Sequence, residues 1–246
     1  MRLSILASLV LCHQGHKQLQ EAAELHRSTA SNIEWSLNRL TTGEESWLAV
    51  VIPGTNDIPD VRMDFDIVRS AVRPKAGISA YSENAVRLLD AQMVQPYAYH
   101  AQVTWPEQRV HRGFYRGYLS IRDELLERVS ASDEQVIIVG HSLGGAVGVL
   151  AAVDLNFNLG RQIHLVTLGS PRVGNAAFVE ACQRRIASHT RLVHGWDPVP
   201  RHPWPVWGYR HHTSARHIGR WPIPLIPNIK HHLIASYDAM LERLNI

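Results

Sequence analysis

The chain has 246 residues, of which 45% are hydrophobic and 19% charged, and its formal net charge is +3. That length suits one large α/β domain with a substantial core, and the composition excludes a disordered or low-complexity chain. The mild charge and only three lysines, Lys17, Lys75 and Lys230, leave no basic tract for nucleic acid.

In chain order, Met1 to Cys12 joins a basic start to a short apolar run. The run is well short of the roughly 20 residues of a membrane span. No small-x-small cleavage site follows, so it reads as a core-facing helix, and a cytoplasmic chain is favoured over a secreted one. Helical spacing of Leu19, Ala22, Ala23 and His26 predicts a second helix over about 15 to 39, so that N-terminal helices fill residues 1–40 and pack on the domain. Cys12 and Cys182 lie too far apart in sequence to support a disulfide framework and read as free thiols.

Ser46 to Ile52 is a strand that ends at Pro53-Gly54-Thr55. Next comes Asn56 to Ile67, alternately acidic and apolar, which reads as a flap or as a solvated loop anchored by Phe65 and Ile67. Ser82 caps a predicted helix reaching about Met93, and Tyr97, Tyr99 and Trp105 form an aromatic stretch. His111-Arg-Gly113-Phe114 leads into a helix carrying Tyr115, Tyr118, Leu119, Leu126 and Val129.

The centre of the chain is Gln135 to Leu150, where an apolar strand stops at Gly140 and a helix begins after Ser142. The turn reads G-x-S-x-G. Gly140 and Gly144 leave room where strand and helix nearly collide, and the serine hydroxyl projects outward as a candidate nucleophile. The Leu143 amide, at the helix N-terminus, is a candidate oxyanion donor, and the Thr55 amide is a second. Gln162 to Leu168 and Thr190 to His194 are further strands, separated by a turn with Asn175 as helix N-cap. Strands alternating with helices imply a mostly parallel sheet with helices on both faces.

A serine nucleophile needs a histidine base and a carboxylate to orient it. Asp197 lies just past an apolar strand and is fixed by Pro198 and Pro200. In α/β hydrolases the chain order is serine, acid, histidine. Of the histidines after Asp197, His232 stands at the start of a C-terminal helix whose Leu233, Tyr237, Met240 and Leu241 are spaced to bury one face; His231 is the reserve. The histidine-rich stretch from 202 to 217 matches no standard zinc motif. With Trp204, Trp207 and Trp221 it reads as an irregular wall of an acyl pocket whose exposed face can touch lipid.

Taken together, these stretches resemble the class 3 lipases, fungal-lipase-like members of the α/β-hydrolase fold. Those that match are Val51 to Thr55, His111 to Phe114, Val139 to Gly145, Thr167 to Asn175, Asp197 to Pro200, and His232 with Tyr237, in family order from about residue 47 to 240. The resemblance implies a serine carboxylic-ester hydrolase acting on esters of glycerol or similar alcohols. Its triad would be Ser142, Asp197 and His232, with an oxyanion hole at Thr55 and Leu143 and no cofactor or metal. It also implies a lid at about 57 to 67, through Asp57, Ile58, Asp60, Val61, Met63 and Phe65. Asp57, Asp60, Arg62, Asp64 and Asp66 depart there from an aromatic lid, and Pro53 stands where the family carries arginine. The partners implied are a small ester or lipid substrate and transient contact with a lipid surface. A phospholipase A1 or an acyltransferase would use the same triad; an inactive binding protein or a peptidase on this fold ranks lower.

Overall fold

In a computed structural model, residues 24–27, 33–42, 45–54, 95–100, 103–219 and 227–243 are described. Among the described residues nine strands run in chain order: β1 (Glu24–Arg27), β2 (Glu34–Thr42), β3 (Glu45–Ile52), β4 (Gln95–His100), β5 (Val103–Val110), β6 (Gln135–His141), β7 (Ile163–Leu168), β8 (Ile186–His194) and β9 (Ala215–Ile218). The α-helices of the described residues are α1 (Arg112–Ser130), α2 (Leu143–Leu159), α3 (Ala176–Arg185) and α4 (Ile234–Arg243). Seven strands form one sheet in the order β1-β2-β3-β6-β7-β8-β9, and β4 pairs with β5 separately. From β3 to β9 all neighbours in the large sheet are parallel, while β1 and β2 add an antiparallel edge.

The central strands read as unbroken apolar runs because both their faces are covered. Along β3, Leu48, Val50 and Ile52 turn to one core, and Trp47, Ala49 and Val51 turn to the other. β6 splits in the same way, with Val136 and Ile138 on the first side and Ile137 and Val139 on the second. The first core is closed by Phe114, Tyr118, Ile121 and Leu125 of α1, by α2, and by Phe178 and Cys182 of α3. Tyr237 and Leu241 of α4 close the second. This is the α/β-hydrolase arrangement expected from the alternation of strands and helices.

The N-terminal helix expected over about 15 to 39 is not what forms at its C-terminal end. Residues 24–27 and 34–42 are strands, paired with each other and with β3. Buried Trp35 and half-buried Leu37 pack two apart against the first core, a period-2 signal that the helical spacing further upstream obscured. The helices predicted at 2–12 and 82–93 lie outside the described residues, as does Cys12. The helix after His111 forms as predicted, although Leu119 faces solvent.

One buried carboxylate ties α1 to α2. Asp154 accepts from the Tyr118 hydroxyl at 2.5 Å, from Arg122 Nε at 2.7 Å and from Asn158 Nδ2 at 3.1 Å. Burial outweighs these donors and raises the carboxyl above its usual range.

Beside β7 and β8 lies a cluster of close-packed histidines. His189 Nδ1 and His212 Nε2 share a hydrogen bond at 2.8 Å, the other His189 nitrogen meets Thr167 Oγ1 at 2.9 Å, and His211 Nε2–H donates to the Pro200 carbonyl at 2.8 Å. Burial first, then Arg191 beside them, pushes His211 down to about 3 and His212 to about 4; burial and His212 carry His189 well below 6.5. An unfolded chain binds protons at these rings below about pH 6.5, while the folded chain does not until lower pH, so stability is full above that value and lost on acidification. Between pH 7 and 5 each of these histidines contributes a slope of up to about 1.4 kcal/mol per pH unit. The expected outcome in urea titrations across that range is a steep loss of stability on acidification, made shallower by His211→Gln; an unchanged slope in the variant would count against the assignment.

Candidate active site

Ser142 sits in the turn between β6 and α2 at φ 54° and ψ −123°, the one non-glycine residue with positive φ among the described residues. Such a backbone costs on the order of 1–3 kcal/mol. Close packing enforces it: a Cβ on Gly140 would strike the Gly144 carbonyl, and a Cβ on Gly144 would strike the Ile52 carbonyl. The Ser142 N–H is fixed to the Leu168 carbonyl at 2.9 Å, and its own carbonyl accepts from Gly145 at 3.0 Å. The turn therefore holds the side chain at the C-terminal ends of the parallel strands, with the Leu143 amide opening α2 beside it.

His232 closes a 3-10 turn, Ile229–His232, whose Asn228 cap accepts from the Lys230 N–H at 3.0 Å. Two bonds join this turn to the loop after β8: Asn228 N–H donates to the Trp196 carbonyl at 3.1 Å, and Trp196 N–H donates to His231 Nδ1 at 2.9 Å. Adjacent histidines thus divide the work, His231 holding backbone while His232 turns inward. His141 packs over the ring of His232, centroids 4.9 Å apart, and its Nε2–H donates to the His232 carbonyl at 2.8 Å.

The inward groups form one line. Ser142 Oγ lies 2.7 Å from His232 Nε2, and His232 Nδ1 lies 2.9 Å from Asp197 Oδ2. All three side chains are buried. Asp197 accepts two more bonds, from the Tyr237 hydroxyl at 2.6 Å on Oδ2 and from the Val199 N–H at 2.9 Å on Oδ1. Burial, and then the neighbouring Asp197 charge, push the Tyr237 phenol well above its ordinary range, so it stays protonated and donates. Gly169, at φ 61°, leaves space here, because a Cβ would stand 2.7 Å from Asp197 Oδ2 and 2.9 Å from His232 Nδ1. With Nδ1–H given to the carboxylate, Nε2 is left as an acceptor for the serine proton. The arrangement can therefore deprotonate a serine during attack on a carbonyl.

The class 3 lipase family matches residues 49–207, well over half of the chain. The chain belongs to the class 3 lipases. Among relatives, a secreted mono- and diacylglycerol lipase of Fusarium solani is 33% identical over 177 residues, covering 64% of this chain and 53% of the relative. A secreted mono- and diacylglycerol lipase of Malassezia globosa is 34% identical over 136 residues, covering 52% and 45%. The chain thus spans about half the length of the curated relatives it matches. A triacylglycerol lipase from Penicillium expansum superposes with a TM-score of 0.65 at 18% identity, covering 86% of this chain and 77% of that one, which establishes the shared fold. The names of the relatives correct the cytoplasmic expectation, since these mono- and diacylglycerol lipases are named as secreted. A short apolar start is compatible with either fate, which is why the sequence misled.

Of the residues singled out in the sequence, the structure brings Ser142, Asp197 and His232 side by side, and Leu143 follows the serine at the start of α2. Thr55 and the lid residues Asp57, Ile58, Asp60, Val61, Met63 and Phe65 lie outside the described residues. Gly54, the last described residue of that segment, runs so close that a Cβ would be 2.9 Å from Ser142 Cβ. Of the tryptophans read as an irregular pocket wall with an exposed face, Trp204 is exposed, Trp207 is half-buried, and Trp221 lies outside the described residues. Among the described residues no group of three or more His, Cys, Asp or Glu is placed to hold a metal ion. Sequence reasoning missed the bond from Tyr237 to Asp197, having placed that tyrosine on an apolar helix face and among the family-matching positions without a partner for its hydroxyl, and it missed the stacking of His141 on His232.

Tyr237→Phe removes one donor from a buried carboxylate and should lower unfolding free energy by about 1–3 kcal/mol. The same change should slow labelling of Ser142 by a fluorophosphonate about tenfold. Urea denaturation and labelling kinetics check both; an unaltered labelling rate would remove Tyr237 from the positioning of Asp197.

Proposed function

We propose that this chain is a serine carboxylic-ester hydrolase of lipase type, acting on acyl esters of glycerol through an acyl-enzyme. The observation that carries this reading is the continuous hydrogen-bonded line from Ser142 through His232 to the buried Asp197. Ser142 Oγ attacks the ester carbonyl as its proton passes to His232 Nε2. Asp197 stabilises the imidazolium, and the imidazolium returns the proton to the departing alcohol oxygen. Water then attacks the acyl carbonyl as His232 Nε2 takes its proton, and when the acyl–serine bond breaks His232 returns that proton to Ser142 Oγ, releasing the carboxylic acid and restoring the serine. The negative oxygen of each tetrahedral intermediate falls to the Leu143 amide, with the Thr55 amide assigned as its companion.

The relatives named mono- and diacylglycerol lipases favour partial glycerides as substrates, and their names also favour a secreted role. Tyr237 and Val199 serve as positioning groups, because they bond Asp197 and not the reacting atoms.

The test is hydrolysis of p-nitrophenyl esters from acetyl to palmitoyl, followed by mono-, di- and triacylglycerols. Ser142→Ala and His232→Ala should each lower kcat by at least about 10^4-fold. Asp197→Asn should cost about as much, through the wrong imidazole tautomer. His231→Ala, which loses only a backbone support, should cost far less. A folded native chain inactive on every ester would defeat the proposal, while release of acyl groups from phospholipid in preference to glycerides would redirect it to a phospholipase A1.

A further inference from the structure

The acid and the base of the triad each stand one residue from a tie between their two segments. Asp197 follows Trp196, and His232 follows His231. The Asn228 N–H donates to the Trp196 carbonyl at 3.1 Å, and the Trp196 N–H donates to His231 Nδ1 at 2.9 Å. The first bond joins backbone to backbone and is indifferent to pH. The second needs a lone pair on an imidazole nitrogen, which Nδ1 offers only while His231 is neutral with its hydrogen on Nε2. A proton added at Nδ1 sets donor against donor, and the tie keeps one of its two bonds.

The surroundings of His231 place the sensitive group on this ring and not on its neighbours. His231 is half-buried, within reach of solvent. His194 of β8 packs against it, ring centroids 4.8 Å apart, and His194 Nδ1–H donates to the His231 carbonyl at 3.2 Å. That bond uses a donor, so protonating His194 would leave it intact; burial also holds His194 below its ordinary value. From α4, Tyr237 meets His194 edge-on at 5.7 Å and gives its hydroxyl to Asp197. From the loop after β8, Asp197 bonds His232, and Arg201 lies 4.1 Å over the Trp196 ring. Lys230 and His232 flank His231 on its own turn. Among the described residues no carboxylate pairs with His231, and Lys230 and Arg201 carry the sign that a second proton would add.

We propose that His231 is a positioning residue that holds His232 against Asp197 only in its neutral form, so that acidification loosens the pair in a step separate from protonation of His232. His231 touches no reacting atom; it acts through the turn that carries the base and the loop that carries the acid. A base displaced by about 1 Å can cost on the order of 10²-fold, and loss of one bond of two costs part of that. The native chain thus loses activity to two protons where a triad alone loses it to one. The role rests on the ester-hydrolase reading, but the tie and its response to a proton do not.

The amide oxygen of His231→Asn can accept from the Trp196 N–H and takes no proton, whereas His231→Ala removes the acceptor. The measurement is kcat/KM on p-nitrophenyl acetate from about pH 8 to about pH 5.5, the range in which imidazoles change charge. His231→Ala should lower it about tenfold at the upper end, and His231→Asn should restore most of that loss. Both variants should follow a one-proton acid limb. The native curve should begin with the asparagine variant and end about five- to tenfold below it, close to the alanine variant. Urea unfolding at both ends of the range checks that each chain is folded. A native curve parallel to that of His231→Asn, or His231→Asn as impaired as His231→Ala at every pH, would overturn the proposal. Proton–nitrogen correlation spectra of the Ser142→Ala chain follow the His231 ring without turnover, and the expected neutral form carries its hydrogen on Nε2. A neutral ring with hydrogen on Nδ1 would remove the tie and leave the hydrolase reading standing. Inactivity on every ester with the Nε2–H form present would do the reverse.

Discussion

The meeting of Gly144 with the Ile52 carbonyl is the constraint on which the rest of the site depends. Strand and helix approach there without room for a Cβ, so the chain between β6 and α2 must turn within one residue, and Ser142 takes up the strain. The strain is on the order of 1–3 kcal/mol. Against it stands the burial of α2, in which Val147, Val149, Leu150, Val153 and Leu155 are all removed from water. At roughly 1.5–3 kcal/mol for each such side chain, any two of them offset the turn. The serine is thus held in a conformation that the isolated peptide would not keep, and that conformation points its hydroxyl at His232.

A second balance operates at Asp197. A carboxylate with no exposed surface is costly to bury and persists only if its lone pairs are filled. Tyr237, Val199 and His232 fill them, and each arrives from a different direction: α4, the loop itself, and the 3-10 turn before α4. Burial raises the tyrosine's proton affinity in the same act that lowers its exposure, so the donor remains a donor. His194 completes the frame by donating its N–H to the Tyr237 oxygen at 3.1 Å. Acid, tyrosine and the end of β8 become one hydrogen-bonded unit, against which the imidazole can be oriented.

What could be read from the residues and what could not divides along sequence distance. β3, β6 and β7 were legible because strands covered on both faces are continuous apolar runs, and the serine turn was legible because steric need writes glycine at both flanks. Asp197 was marked by its prolines, and His232 followed from chain order. The edge strands were misread: in β2 the alternation of Trp35 and Leu37 covers few residues, and helical spacing upstream competed with it. The bond from Tyr237 to Asp197 spans 40 residues, and a tyrosine on a buried helix stripe looks the same whether or not its hydroxyl has a partner. His231 and His232 share one local pattern; only the contact of His231 with Trp196, from 35 residues away, separates support from base.

The loop after β8 is held at two places, and both holds run through backbone groups. Its inner end, at Trp196 and Asp197, is tied to the turn that carries His232. Its outer end is clamped by arginines that spend their donors on carbonyl oxygens of the loop, so the backbone shape is set without carboxylates. The consequence is a loop whose shape does not depend on ion pairs, joined within a few residues to the carboxylate at the end of the triad.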